Sequence, residues 1–126
     1  MGIPQSRILI LGILFFVTFL SGLGLTHFAR PYNGFLSTIH KLVAMGAVIY
    51  LSVLVIKAHR VASFSGLEWA GLLTAELLFV LAIVTGAIAI SVKVAPVALL
   101  AAHRIAPYVA VILTAATLWV SPLKAR

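Results

Sequence analysis

ILILGILFFVTFLSGLGLTHF, residues Ile8 to Phe28, runs its whole length without an Asp, Glu, Lys or Arg. A bilayer's hydrocarbon layer, about 30 Å thick, is crossed by about 20 helical residues of this character. The run is longer than the apolar part of a signal peptide, and Thr26-His27-Phe28 is a poor small-x-small cleavage site, so the segment reads as a retained span. The same pattern recurs three times towards the C-terminus. The expected spans cover about 8–28, 36–56, 67–92 and 98–120.

Composition agrees with the pattern. Of 126 residues, 63% are hydrophobic and 9% charged, with a mean hydropathy of +1.24. A soluble domain has roughly half apolar and a quarter charged residues, and so short a chain has no interior in which to hide the surplus. Four spans consume most of the length, which leaves one domain, 1–126, with short connections and no soluble catalytic module. Short connections force neighbouring helices to run antiparallel, so the expected fold is an all-α, transmembrane, antiparallel up-down four-helix bundle.

The net charge of +7 comes from nine Lys or Arg against Glu68 and Glu76. These bases stand one or two at a time between apolar runs, so anionic lipid headgroups are the expected partner and nucleic acid is not. With the N-terminus inside, Arg7, Lys57, Arg60, Lys124 and Arg126 fall on the inner side. Arg30, Lys41, Lys93 and Arg104 fall on the outer side, a slight positive-inside bias that sets the expected orientation. Trp69 and Trp119 share the inner end of their helices, as interface anchors do. The absence of cysteine excludes disulfides, thiolate metal sites and covalent CxxCH haem attachment. No phosphate loop, HExxH or Ser-His-acid arrangement is present.

Pro31 and Asn33-Gly34 mark the first turn, with Ser37 or Thr38 as the expected cap of span two. Ser63, Ser65 and Gly66 mark the second turn, and Glu68 is suited to the first turn of span three. Lys93 and Pro96 mark the third, and Ser121-Pro122 stops span four. Pro107 lies inside span four, which a membrane helix tolerates where neighbouring groups satisfy the freed carbonyl.

The four histidines carry the functional reading. His27 closes span one, while His40 and His103 lie about one turn inside spans two and four. Antiparallel threading brings these three to one end. At about 1.5 Å per residue, His40 and His103 stand at nearly equal depth, about 6–8 Å below the outer end. Two imidazoles at matched depth on different helices are the ligand set of a bis-histidine haem. The positions after His40 on its face are Ala44 and Ala47, and the face below His103 reads Pro107, Ala110, Thr114, Thr117 and Ser121. Such small residues leave room for a flat macrocycle or pack helices closely, and Gly86 on span three is a place where a macrocycle edge would fit. His27 is an alternate ligand, and His59, beside Lys57 and Arg60, reads as a solvated loop histidine.

Ile39-His40-Lys41-Leu42-Val43-Ala44 on a second span, with His103-Arg104 and Pro107 on a fourth, resembles the small four-helix membrane cytochromes of the b type found in bacteria and archaea. The resemblance implies noncovalent haem b held by His40 and His103 in a prokaryotic cytoplasmic membrane. It further implies electron transfer to or from a quinone or a redox partner protein, an electron carrier more than a stand-alone enzyme, with any enzyme role resting on the haem itself. Lys41, Arg104, Lys93 and Arg30 are then candidates to pair with haem propionates.

Glu76 is the acid inside the hydrocarbon. A carboxylate at that depth costs on the order of 2.5–3.5 kcal/mol, so it is expected to be neutral or partnered, with Thr114 and Tyr50 at matching depth. It supports the alternative functions, a small proton or cation transporter or a structural accessory subunit. Gly22-Leu23-Gly24 and the Gly71-to-Ala75 spacing are candidate contacts of a homodimer.

Overall fold

The structure, a computed structural model, describes residues 4–28 and 33–120. Within them the chain is all-α: α1 spans Gln5–His27, α2 Gly34–Val61, α3 Gly66–Ser91 and α4 Val97–Val120. Each is long and apolar enough to cross a membrane. The expectations for Arg30, Pro31, Ser121, Pro122, Lys124 and Arg126 lie outside the described residues.

Helix boundaries follow from local chemistry. Asn33, not Ser37 or Thr38, caps α2: its Oδ1 accepts the Leu36 amide at 3.0 Å, and its carbonyl accepts from the Ser37 amide at 2.9 Å. A cap must sit one residue before the first helical one, and Asn33 does. Ser37 is instead buried, and the Thr38 hydroxyl donates to the Gly34 carbonyl. At its other end α2 continues past Ile56 through Lys57, His59 and Arg60 to Val61. Polarity ends a membrane span but not a helix, and basic groups are favoured in a last turn by the helix dipole.

Ser65 and Glu68 form a capping box at the start of α3. The Glu68 amide donates to the Ser65 hydroxyl at 3.3 Å, and the Ser65 amide donates to the Glu68 carboxylate at 2.7 Å. Pro96 precedes α4 and its carbonyl accepts from the Leu100 amide at 3.1 Å. Pro107 stands inside α4. Lacking an N–H, it cannot donate to the carbonyl of His103 one turn earlier.

The helices form two compact units, one extending to Leu54 and the other beginning at Val55. In the first, α1 and the N-terminal part of α2 run antiparallel: Gly22 lies against His40, and Gly24 against Leu36. In the second, α3 and α4 run antiparallel, with Gly71 opposite Thr117 and Gly86 opposite His103. The face of α4 below His103 is therefore turned to α3. Ala110 and Thr114 on it are buried, as are Ala75, Ala82, Thr85 and Ala89 on α3. Small residues let two membrane helices approach until their backbones nearly touch, which maximises dispersion where lipid offers no hydrophobic drive. The small face of α4 thus closes the space between α3 and α4 and leaves no slot between that pair. Gly22, Gly24 and Gly71, the expected contacts of a second copy, each face a side chain of their own unit.

Leu9, Phe16, Leu42, Leu77 and Ile112, on all four helices, are exposed. Apolar surface on this scale is what lipid solvates and water does not. The chain is an integral membrane protein.

Candidate functional site

His40 stands in the second turn of α2, half-buried. Its Nδ1 lies 3.0 Å from the Thr18 carbonyl and 3.0 Å from the Ser21 hydroxyl. The Ser21 hydroxyl is in turn 3.0 Å from the same Thr18 carbonyl. The ring rests on Gly22, where an added Cβ would stand 3.0 Å from the imidazole Cε1.

His103 repeats the arrangement in the other unit. Its Nδ1 lies 2.6 Å from the Ala82 carbonyl. The Thr85 hydroxyl divides its proton between the carbonyls of Leu81, at 2.7 Å, and Ala82, at 3.1 Å. The ring rests on Gly86, where a Cβ would stand 2.6 Å from Cε1 and 2.9 Å from Nδ1. In each hairpin the first helix supplies a carbonyl, a buried hydroxyl three residues on and a glycine four residues on: Thr18, Ser21 and Gly22, or Ala82, Thr85 and Gly86. These three positions lie within one helical turn, so all reach one facing side chain. The second helix supplies the histidine.

The chemistry of this contact is specific. A carbonyl oxygen only accepts, so an imidazole nitrogen bonded to it carries the proton. Neutral His with its proton on Nδ1 keeps its lone pair on Nε2. A main-chain carbonyl on Nδ1 also fixes the ring's orientation and raises the basicity of the other nitrogen, the usual support of a metal-ligating histidine.

The remaining candidates fall as follows. The space over Gly86, read as room for a macrocycle edge, holds the His103 ring itself. Ala47 is buried, Ala44 and Pro107 are half-buried, and Lys41, Lys93 and Arg104 are exposed. His27 is exposed at the end of α1, with its ring edge-on to Phe28 at 5.9 Å. His59 is no loop residue. It belongs to the last turn of α2, its Nδ1 accepts the Phe64 amide at 3.1 Å, and its ring stacks on Phe64 and meets Trp69 edge-on. It closes the turn between α2 and α3. Glu76 is half-buried on α3, and the Thr114 hydroxyl, expected to serve it, donates to the Ala110 carbonyl at 2.8 Å. Among the described residues no three His, Cys, Asp or Glu side chains gather into a group.

Ser21, Gly22 and Thr85 escape a reading centred on histidines. Their trace in the sequence is a hydroxyl-glycine pair, Ser21-Gly22 and Thr85-Gly86, at nearly the same distance before His40 and His103. No family model, curated protein or solved structure matches the chain.

Proposed function

We propose that this protein is a membrane b-type cytochrome, holding noncovalent haem b by the Nε2 atoms of His40 and His103. The observation that carries the reading is the bond of each Nδ1 to a main-chain carbonyl, Thr18 for His40 and Ala82 for His103. That bond fits the donor set to haem, because an imidazole that is to hold the iron would have to be neutral with its lone pair on one fixed nitrogen. The choice of these two histidines as one pair rests on their matched depth along the sequence. When bound, haem b supplies a one-electron couple and no bond-making chemistry.

The protein's own contribution is to hold the two rings. Gly22 and Gly86 let each imidazole approach the neighbouring helix, and the carbonyls keep its proton on Nδ1. The exposed Lys41 and Arg104 each stand one residue beyond a histidine, where a cation would meet the anionic propionates of a haem entering from the membrane surface. The reading extends to exchange of electrons with a quinone or a redox protein. It also extends to a prokaryotic cytoplasmic membrane with the N-terminus inside, supported by the slight excess of basic residues on that side.

The test is the colour of protein purified from cells supplied with haem. A Soret band with sharp reduced α and β bands is expected, lost in both His40→Ala and His103→Ala. A folded, colourless wild-type protein refutes the reading.

A further inference from the structure

The turn between α2 and α3 is held by a histidine that accepts where His40 and His103 donate. His59 stands in the last turn of α2, and its Nδ1 lies 3.1 Å from the Phe64 amide nitrogen. A backbone amide only donates, so Nδ1 supplies the lone pair and the proton of the neutral ring is on Nε2.

The amide it accepts belongs to the approach to α3. Ser65 is the cap of that helix and Glu68 closes the capping box, so Phe64 and Trp69 occupy the two flanking positions at which apolar side chains staple a chain into a helix. Their rings meet edge-on, with centroids 5.9 Å apart. His59 lies on both, stacked on Phe64 at 5.7 Å and edge-on to Trp69 at 4.9 Å. Phe64 is buried and His59 half-buried. One imidazole therefore covers the staple, takes up the amide that precedes the cap, and ties the end of α2 to the start of α3.

We propose that His59 is a proton-operated latch on this turn. A protonated imidazole has two N–H donors and no acceptor, so no rotation of that ring can receive the Phe64 amide. The bond belongs to the neutral ring alone. It is present at the alkaline end of the interval between about pH 5 and pH 8, in which histidine acts as a switch, and is lost as the pH falls through that interval. The charged groups on the elements that meet the ring are Lys57 and Arg60, exposed on α2, and Glu68 on α3, whose carboxylate accepts the Ser65 amide. Lys57 and Arg60 oppose a further positive charge. The carbonyl end of α2 and the aromatic faces of Phe64 and Trp69 attract one. The proton thus has a place on the ring but none in the bond, and its uptake frees the Phe64 amide and unpins the staple from α2. Ser65 and Glu68 bond each other without His59, so α3 keeps its cap and the change stays within the turn.

The experiment is NMR of 15N-labelled, full-length protein in lipid nanodiscs, with His59→Gln to assign the ring. An N–H bonded to a ring nitrogen transmits a 15N–15N scalar coupling. One is expected between the Phe64 amide and His59 Nδ1 at about pH 8, and none at about pH 5. In a Trp119→Phe background Trp69 is the sole indole, and its fluorescence is expected to change over the same interval and to lose that response in His59→Gln. Helical content by circular dichroism is expected to stay constant throughout. No coupling at the alkaline end, a coupling that persists at the acid end, a Trp69 response that survives His59→Gln, or loss of helix in step with the titration overturns the proposal. None of these readouts involves haem, so a colourless protein leaves the latch standing.

Discussion

The hairpin of α1 with the start of α2 and the hairpin of α3 with α4 build the same contact to different tolerances. At His103 the carbonyl is at 2.6 Å and a Cβ on the facing glycine would also fall at 2.6 Å; at His40 both distances are 3.0 Å. The hydroxyls differ for a local reason. Thr85 is β-branched, and in a helix its Oγ1 settles into bonding carbonyls three and four residues back, which is where it lies. Ser21 is not so constrained at χ1 and stands where it reaches both the carbonyl and the ring. The unbranched Ser21 thus touches ring and carbonyl together, while the branched Thr85 is turned back along its own helix.

The largest effects break both hairpins alike. His40→Ala and His103→Ala are each expected to abolish haem binding outright, read as loss of the Soret band with helical content preserved by circular dichroism. If either variant keeps a bis-histidine spectrum, His27 becomes the ligand to test.

Glycine substitutions sharpen the contrast. Gly86→Ala must displace the His103 ring, and such overpacking costs about 1–3 kcal/mol, against about 1 kcal/mol gained from helix propensity. Gly22→Ala meets the His40 ring at 3.0 Å, so cost and gain are expected nearly to cancel. Unfolding in mixed micelles should rank Gly86→Ala clearly below Gly22→Ala, and equal stabilities would remove the claim that the second hairpin is the tighter one.

A smaller effect probes the same hairpin away from its histidine. A Cβ on Gly71 would stand 2.6 Å from the Thr117 Oγ1. Gly71→Ala is therefore expected to destabilise and Thr117→Ala to relieve it, with a coupling energy of about 1 kcal/mol in a double-mutant cycle. Additive losses would mean that the two residues do not share the contact.

The smallest is Ser65→Ala, which removes the capping box of α3 and should cost about 1 kcal/mol. Ser65 lies at the opposite end of α3 from Gly86, so the haem spectrum is expected to stay as it is. A shifted spectrum would reveal coupling along the whole helix.

The number of helices, their approximate limits and their residence in a membrane were legible from residues alone, because apolar runs of this length have one physical solution in lipid. His40 and His103 stand out in such runs as polar groups, and the structure shows each half-buried against a glycine of a facing helix. Helix ends were less legible. The extension of α2 through Lys57 and His59 was hidden because polarity marks the membrane boundary and not the helix boundary.

The side-chain roles on the helix faces were the least legible. Ala110 and Thr114 suit close packing and an open slot equally well in a sequence, and their burial on the face turned to α3 decides for packing. Gly86 is likewise a missing side chain until a neighbour is found in its place. Composition and hydropathy determined by themselves that this chain is four helices long and apolar enough to cross a membrane. Only the tertiary structure decided what each imidazole touches, because a hydrogen bond to a carbonyl on another helix depends on rotation and register, which hydropathy does not encode. The carbonyls of Thr18 and Ala82 are main-chain groups that every residue possesses, and no sequence pattern marks the one that a histidine will find.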